Sequence, residues 1–424
     1  MDRYAAWLKG IEKERNGLRR TLMLWSDVNS YSYNREGLER MAGLLETDFS
    51  GLGAKVRKIP LRPAPGADPT APRGDGPLGP MLLVRKARPR PRVRALLGIH
   101  MDTVFPPGHP FRKSRRSGSD RVVGPGVADA KGGLLILLKA LERLEQSPFR
   151  NGLAWTVFVN PDEEIGSPGS GAPIRALAAS HDLGLLFEPC FQDGCLVHER
   201  AGSGNFVLRV RGRAAHAGRE PEKGRNALVA LAGSMLEVSR LQDPDAGILI
   251  NVGRVEGGGP VNVVPDRGAA FFNVRVTSPE AQGRVESALA SIVASVNGRE
   301  GFSAVLEGRF QRPPRQLDRG SRRLMAWVED CAQALGQPIR WRSSRGASDG
   351  NLLAAEGLAT VDSLGVRGGG IHTPDEYADL ESLVERIRLT ALLLMRLASG
   401  DLHGAVSDDR AEQEDGAGGK HERA

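Results

Sequence analysis

The chain has 424 residues, of which 40% are hydrophobic and 26% charged, a balance that argues against a disordered or membrane-embedded protein. At ordinary domain sizes this length predicts about two to three domains, with room for a buried active site. Lysine and arginine total 58 against 51 acidic residues, and the resulting net charge of +7 indicates anionic partners only weakly.

The N-terminus and the cysteines favour a cytoplasmic protein. Residues 1–20 mix charged with apolar side chains and so lack the continuous apolar core of a signal peptide. No apolar run reaches the roughly 18 to 20 residues that span a bilayer. Cys190, Cys195 and Cys331 are odd in number and scattered, which fits free structural thiols in a reducing compartment. We therefore expect cytoplasmic localisation and no membrane partner.

The distribution of apolar residues predicts an α/β protein. Two helical stretches are followed by a loop rich in proline and glycine over residues 62–80. Short strand-like runs then alternate with helices: MLLV, ALLGI, a helix over 131–145, AWTVFV and LGLLF. This alternation predicts a mostly parallel sheet. The sheet resumes at ATVDSLGV, and a helix over 383–397 closes the domain.

Residues 202–312 follow a different pattern. Strand, helix, strand, strand, helix and strand succeed one another, an order typical of a ferredoxin-like α+β sandwich. We therefore predict a discontinuous catalytic domain of residues 1–200 plus 313–400, interrupted by an inserted domain of residues 201–312. The polar, glycine-rich tail, residues 401–424, is expected to be disordered.

The densest basic run, RKARPRPRVR, covers residues 85–94. One interpretation is a patch that binds nucleic acid or a membrane surface. The other is a solvated hairpin tip between MLLV and ALLGI, interrupted by Pro89 and Pro91. The run contains no aromatic side chain on which bases would stack, so we favour the hairpin tip and expect no nucleic-acid partner.

Side chains that bind metals follow the predicted strands, where parallel sheets place their ligand sites. Imidazole and carboxylate together are the ligands that zinc prefers. The candidates are His100 and Asp102 after ALLGI, Asp129 in the turn GPGVADAKGG, Glu163 and Glu164 after AWTVFV, Glu188 after LGLLF, and His372 beyond SLGV. Taken singly, each of these residues has an ordinary structural interpretation. The prediction of a metal site depends on all of them occurring where this fold places a ligand site.

These residues suffice for two metal ions if one carboxylate bridges them. Asp129 is the natural bridge, with His100 and Glu188 on one ion and Glu164 and His372 on the other.

Two further carboxylates are predicted to assist the ligands. Asp102 lies two residues from His100 and is placed to hold its second ring nitrogen. Glu163 is adjacent to a ligand but is not needed as one, which makes it the candidate general base.

The motifs around these residues resemble the zinc aminoacylase and carboxypeptidase superfamily, which includes glutamate carboxypeptidases of the carboxypeptidase G type, acetylornithine deacetylase and succinyl-diaminopimelate desuccinylase. The resemblance covers residues from about 30 to 400. Its motifs are HMDTVFPPGHPF, GPGVADAKGG, NPDEEIGSPGS, FEP, GRAAHAGREPEKGRNAL, NVVPD, SDGN and GGGIHTPDEY. The stretch RGASDGN departs from the Gly-Gly-Gly-Thr-Asp that is usual in the carboxypeptidase G type, which leaves the side-chain preference open.

The resemblance implies the same two-zinc ligand set, with Co²⁺ or Mn²⁺ as substitutes. It also implies that His216 reaches a neighbouring active site across a homodimer and stabilises the oxyanion, and that Asn262 and Arg275 contact the substrate. The alternative for Arg275 is an outward strand residue in a salt bridge. The inserted domain then serves as lid and dimerisation surface.

Together these observations predict a two-zinc hydrolase that cleaves an amide or peptide bond in a small carboxylate-bearing substrate, most simply a carboxypeptidase. The alternative within the same chemistry is an N-acyl amino acid deacylase. The alternatives from other classes are a basic nucleic-acid-binding protein and an inactive scaffold.

Overall fold

The structure, a computed structural model, describes residues 1–63, 69–70 and 78–402. Its helices are α1 (Asp2–Leu8), α2 (Arg15–Ser26), α3 (Arg35–Ser50), α4 (Gly133–Gln146), α5 (Gly171–Ala178), α6 (Ala227–Arg240), α7 (Pro279–Asn297), α8 (Arg319–Ala334), α9 (Gly350–Ala355) and α10 (Leu380–Ser399). Residues 403–424 of the predicted tail, and residues 64–68 and 71–77 of the predicted loop, lie outside the described residues.

The strands form two larger sheets and two smaller ones. They are β1 (Lys55–Ile59), β2 (Met81–Lys86), β3 (Val93–His100), β4 (Arg115–Ser117), β5 (Arg121–Val123), β6 (Leu153–Asn160), β7 (Leu183–Leu186), β8 (Leu196–Arg200), β9 (Gly202–Arg211), β10 (Ile248–Gly257), β11 (Arg267–Val276), β12 (Ser303–Arg312), β13 (Trp341–Ser344), β14 (Thr360–Val361), β15 (Gly368–Gly369) and β16 (Tyr377–Asp379).

The central sheet has the strand order β1-β2-β6-β3-β7-β14. Strand β3 pairs in parallel with β6 and β7, and β14 pairs in parallel with β7, whereas β1 and β2 are antiparallel. Residues 95–100 of β3 are buried without a break, as in strands covered on both faces. The predicted mostly parallel α/β sheet is therefore confirmed.

The predicted hairpin between MLLV and ALLGI is wrong. Strand β6 lies between β2 and β3, so the basic segment connects two strands that are not neighbours. Several of its charges are paired with acidic side chains: Arg88 Nη2 lies 2.6 Å from Glu145 Oε2, and Arg94 Nη2 lies 3.0 Å from Asp182 Oδ1. This run is thus partly neutralised at the sheet surface.

Helix α4 is buried on nearly every side. Its leucines form part of the main apolar cluster together with α10 and the central sheet. Full burial stabilises each such side chain by about 1.5–3 kcal/mol. The helix begins at Gly133, directly after an irregular helical turn over Val127–Gly132, so the rigid core fixes the turn that contains Asp129.

The segment from β9 to β12 has its own antiparallel sheet and its own core. The sheet order is β10-β11-β9-β12, with α6 and α7 packed on one face. Asn226 and Ser278 accept hydrogen bonds from the first turns of the two helices and so mark where the helices begin. The predicted order of β-α-β-β-α-β is confirmed.

A small four-stranded sheet, β15-β16-β5-β4, was not predicted from the sequence. Strand β16 pairs with β5, which brings the segment after His372 against the segment before Asp129. In the part of the chain that the structure describes, no helix combines the length and the apolar character needed to cross a bilayer.

Candidate metal centre

The predicted ligands converge at the carboxyl edge of the central sheet. His100 is the last residue of β3, Glu164 lies four residues beyond the end of β6, and Glu188 lies two residues beyond β7. Asp129 approaches from the turn before α4, and His372 approaches from the turn after β15. All five predicted ligands are therefore brought together.

Two groups of three share one carboxylate. His100, Asp129 and Glu188 form one group, and Asp129, Glu164 and His372 form the other, with the potential ligand atoms of each group within 4.8 Å of one another. Asp129 Oδ1 lies 3.0 Å from His100 Nε2, while its Oδ2 lies 3.5 Å from His372 Nε2. The two oxygens of Asp129 thus face different imidazoles, as a bridging carboxylate requires.

Asp102 contacts both the His100 ring and the backbone of the loop that contains Glu163 and Glu164. Its Oδ1 lies 3.2 Å from His100 Nδ1, which leaves Nε2 facing the other ligands. Its carboxylate also accepts hydrogen bonds from the backbone N–H groups of Glu163 and Glu164, each at 3.1 Å. Ser32 donates a third, at 2.7 Å, so the fully buried Asp102 is well satisfied.

Glu163 lies beside the cluster and is held by Arg312, which ends β12. Arg312 Nη2 donates to Glu163 Oε1 at 2.7 Å and to Ser167 Oγ and Asp349 Oδ1 at 3.0 Å. Burial raises the pKa of Glu163 well above its ordinary value, although the charge of Arg312 opposes this. A carboxylate with a raised proton affinity suits a group that takes up a proton.

The electrostatics of the cluster are dominated by carboxylates that lie close together. Burial and the charge of Asp129 raise the pKa of Glu164 to about 7. Hydrogen bonds to Asp129 and Glu164 raise the pKa of His372 to about 10. The carboxylates of Asp129 and Glu164 repel each other, and the His372 imidazole between them offsets part of that repulsion. The donor set of imidazoles and carboxylates fits divalent metal ions, which supply positive charge.

A cavity of about 950 Å³ opens onto the cluster. Asp129, Glu163, Glu164, Glu188 and His372 contribute to one wall. The strands of the inserted segment contribute further polar residues to the cavity lining, including Asn205, Asn273, Arg275, Gln311 and Arg312. The reacting groups and the predicted substrate contact Arg275 therefore face the same space.

Arg275 lines the cavity near a second guanidinium, that of Arg312. Its Nη1 donates to the carbonyl oxygen of Arg345 at 2.7 Å. Within the described ranges no carboxylate forms an ion pair with Arg275. Burial and the nearby charge of Arg312 lower the pKa of Arg275, although a guanidinium stays protonated at neutral pH. The salt bridge that the alternative interpretation of Arg275 requires is therefore absent from the described residues.

His216 and Asn262 lie outside this cavity. They occupy neighbouring exposed loops, where Ala217 N donates to Asn262 O at 2.9 Å. Val261, which directly precedes Asn262, is fully exposed. His216 Nδ1 accepts hydrogen bonds from the N–H groups of Gly218 and Arg219, which leaves a proton on Nε2 of the neutral ring.

Two buried residues near the cluster were not predicted from the sequence. Arg312 contacts Glu163 across a sequence separation of 149 residues. Glu376 accepts hydrogen bonds from the backbone beside Asp129, across about 250 residues. Glu376 lies within the recognised motif GGGIHTPDEY, which is the one signal that could have indicated it; the segment RFQRPP offers none for Arg312.

Comparison with known families settles the class. Residues 96–396 match the model of peptidase family M20/M25/M40. This chain belongs to that family. The M20 assignment confirms the predicted resemblance and makes the chain a metallopeptidase-type hydrolase of peptide or amide bonds.

Three relatives illustrate the range of the M20 family. Carboxypeptidase G2 of Pseudomonas sp. (strain RS-16) is 28% identical over 393 residues, covering 91% of each chain. N-acetyl-L-citrulline deacetylase of Xanthomonas campestris pv. campestris is 28% identical over 316 residues, covering 68% of this chain and 78% of its own. The YXEP protein of Bacillus subtilis, a dinuclear metal-binding M20 peptidase, has the same fold, with a TM-score of 0.64 at 14% identity over 92% and 99% of the two chains.

Proposed function

We propose that this chain is a two-zinc carboxypeptidase that removes a C-terminal amino acid, of the glutamate type, from a small peptide or acyl amino acid. The observation that carries the proposal is the carboxylate of Asp129, shared between two ligand groups on the wall of a cavity that also contains Arg275. The similarity to carboxypeptidase G2 over 91% of both chains supports it.

In this proposal His100, Asp129 and Glu188 hold one zinc ion, and Asp129, Glu164 and His372 hold the other. Bound zinc would polarise the scissile carbonyl group and lower the pKa of a water molecule towards neutrality. Co²⁺ or Mn²⁺ would be accepted by the same ligands. Asp102 would keep the His100 ring in the orientation that presents Nε2.

Glu163 is the proposed general base and acid. Its buried carboxyl group faces the cavity beside Glu164 and Glu188. It would take the proton of the attacking water and then transfer that proton to the nitrogen of the leaving amine. Arg312 limits the freedom of the Glu163 side chain through the 2.7 Å contact and would keep it within reach of the reacting atoms.

Arg275 is the proposed binding group for the substrate carboxylate. A guanidinium binds a carboxylate through two parallel hydrogen bonds. In a carboxypeptidase this carboxylate belongs to the leaving amino acid. An N-acyl amino acid deacylase would use the same contact on an acetylated amino acid, and the similarity to N-acetyl-L-citrulline deacetylase supports that second candidate.

The oxyanion donor is proposed to come from a second copy of the chain. His216 and Asn262 are exposed and lie away from their own cavity, although Nε2 of His216 carries a proton to donate. We therefore propose a homodimer through the inserted domain, residues 201–312. His216 of the partner subunit would then stabilise the oxyanion, and closure of the lid would exclude water.

Hydrolysis of a substrate panel tests the proposed function. The panel contains dipeptides, folate-like acyl glutamates and acetylated amino acids, each assayed before and after chelation. A carboxypeptidase prefers the first two classes, whereas preference for the third class would establish the deacylase. No metal-dependent hydrolysis of any member would contradict both.

A variant of Arg275 tests the carboxylate contact. Arg275→Ala should lower kcat/KM by about 10- to 100-fold, mainly through KM, because a hydrogen bond to a charged group contributes about 1.5–3 kcal/mol. Arg240→Ala, an exposed arginine at the end of α6, is the matched control. Equal behaviour of the two variants would remove Arg275 from substrate binding.

A further inference from the structure

Glu376 is a fully buried carboxylate that contacts the turn carrying Asp129. Its Oε1 accepts the backbone N–H groups of Ala128 and Asp129, at 3.0 and 3.1 Å. Its Oε2 accepts the N–H of Gly126 at 3.0 Å. The carbonyl oxygen of Glu376 accepts a fourth, from Gly124, at 3.1 Å. Glu376 therefore accepts hydrogen bonds from four backbone N–H groups within the six-residue stretch 124–129.

The turn around Asp129 is an irregular π-type helix in which Lys131 N donates to Gly126 O at 2.9 Å, whereas the N–H groups of Ala128 and Asp129 donate to Glu376. Asp129 and Ala130 depart from helical backbone angles, so their turn is irregular. Buried N–H groups without acceptors cost about 1–3 kcal/mol each, and Glu376 supplies acceptors to three of them through its side chain. The carboxylate of Glu376 thus stabilises one backbone path through Asp129. The buried ammonium of Lys131 attracts this carboxylate.

Glu376 also belongs to the turn that carries His372. Its own N–H donates to Thr373 O at 3.1 Å, and Thr373 N donates to Gly370 O at 2.9 Å. His372 itself has a positive φ of 65°, which a non-glycine residue adopts only when its surroundings impose it. The segment 370–376 therefore contains one ligand candidate, His372, and also holds the backbone of another, Asp129, through Glu376.

We propose that Glu376 is a positioning residue for the metal centre. It sets the distance between the turn of Asp129 and the turn of His372, and it orients Asp129 so that each carboxylate oxygen faces a different imidazole. The inference rests on the proposed two-zinc function. Removal of these contacts weakens binding of both ions, because the ligand they share becomes mobile.

Zinc titration of the metal-free, full-length protein tests the proposal, with competition against a chromogenic chelator as the readout. Glu376→Gln keeps the size of the side chain but replaces one acceptor oxygen with a donor. We expect zinc affinity to fall by about 10- to 100-fold, the usual effect of losing a group that orients a ligand. At saturating zinc, KM should stay at the wild-type value and kcat should recover.

Glu145→Gln is the matched control. Glu145 is a partly buried carboxylate of α4 that pairs with Arg88 and Trp155 and does not line the cavity at the metal cluster. Its variant should bind zinc like the wild type. Thermal unfolding of the metal-free variants separates loss of the fold from loss of the site. If Glu376→Gln does not fold, Glu376→Asp, which keeps the charge but shortens the reach, provides the same comparison.

The outcomes separate two failures. Wild-type zinc affinity in a folded Glu376→Gln or Glu376→Asp variant overturns the positioning role and leaves the proposed function intact. A wild-type chain that binds no zinc contradicts the proposed function itself. Weaker binding in the Glu376 variants, with wild-type binding in Glu145→Gln, supports the inference.

Discussion

The five ligand candidates differ in their surroundings from His216 and Asn262, the two exposed loop residues of the inserted segment. Four of the ligand candidates are at most 14% exposed, and the fifth, His372, is 51% exposed but contacts Asp129 and Glu164. His100 is 1% exposed and has defined partners on both ring nitrogens. The loops of His216 and Asn262 are exposed, and the apolar Val261, next to Asn262, is fully exposed. The ligand candidates come together within one chain, whereas His216 and Asn262 do not line the cavity of their own chain.

This difference separates binding of metal from completion of the active site. Each ligand lies at the end of a strand or in a turn fixed by the core of the larger α/β region, so one folded chain is sufficient to assemble the cluster. The loops of His216 and Asn262 in the inserted segment do not line the cavity that opens onto that cluster. In the function proposed above, a single chain binds the metal ions and a second copy completes the active site.

The largest effect is expected from the shared ligand. Asp129→Ala removes the carboxylate common to both groups and should reduce hydrolysis to the rate of the uncatalysed reaction. Dimerisation should be unaffected, because Asp129 lies in the other region. Steady-state assays and sedimentation velocity measure the two properties. A variant that hydrolyses substrate at a substantial rate would show that the cluster is not the catalytic centre.

The next largest effect is expected at Glu163. Glu163→Gln keeps an oxygen that accepts from Arg312 but removes the group that takes up a proton. We expect kcat to fall by about 10²- to 10⁴-fold while both metal ions remain bound. Assays paired with elemental analysis measure this. Substantial remaining activity would exclude Glu163 as the base.

A mixing experiment tests whether the second region acts in trans. His216→Ala should lower kcat by about 10²- to 10³-fold, as loss of an oxyanion donor does. When this variant is unfolded and refolded together with Glu163→Gln, each mixed dimer regains one complete site, so activity returns. If His216 acts within its own chain, mixing two inactive variants restores nothing, and the contrast between the regions is lost.

The smallest effect is expected in the basic segment between β2 and β3. Arg90 and Arg92 are exposed, and the double alanine variant should change the free energy of unfolding by no more than about 0.5 kcal/mol and leave kcat/KM unchanged. Urea unfolding and steady-state assays measure these. A large loss of activity would connect this surface with the active site and give a third region a functional role.

The sequence predicts the cluster well because its residues follow buried strands directly. His100, Glu164 and Glu188 adjoin apolar runs, and parallel pairing places the ends of these runs at one edge. Arg312 and Glu376 escape such reasoning because their partners are 149 and about 250 residues away, in separate elements. Local patterns do not indicate contacts of that kind.

The order of strands is also poorly determined by local pattern. MLLV and ALLGI look like the two arms of a hairpin, yet β6 lies between them, since a strand formed later in the chain inserts at that position. The small sheet that joins β5 to β16 involves only two or three residues per strand and has no periodicity to detect. That sheet nevertheless brings Glu376 to the turn of Asp129.

Elemental analysis of the purified chain tests the central claim most directly. A carboxylate shared by two ligand groups predicts two divalent ions per chain, with zinc the principal metal, and loss of both in Asp129→Ala. Retention of one ion by that variant, or a single ion in the wild-type chain, would contradict the shared site.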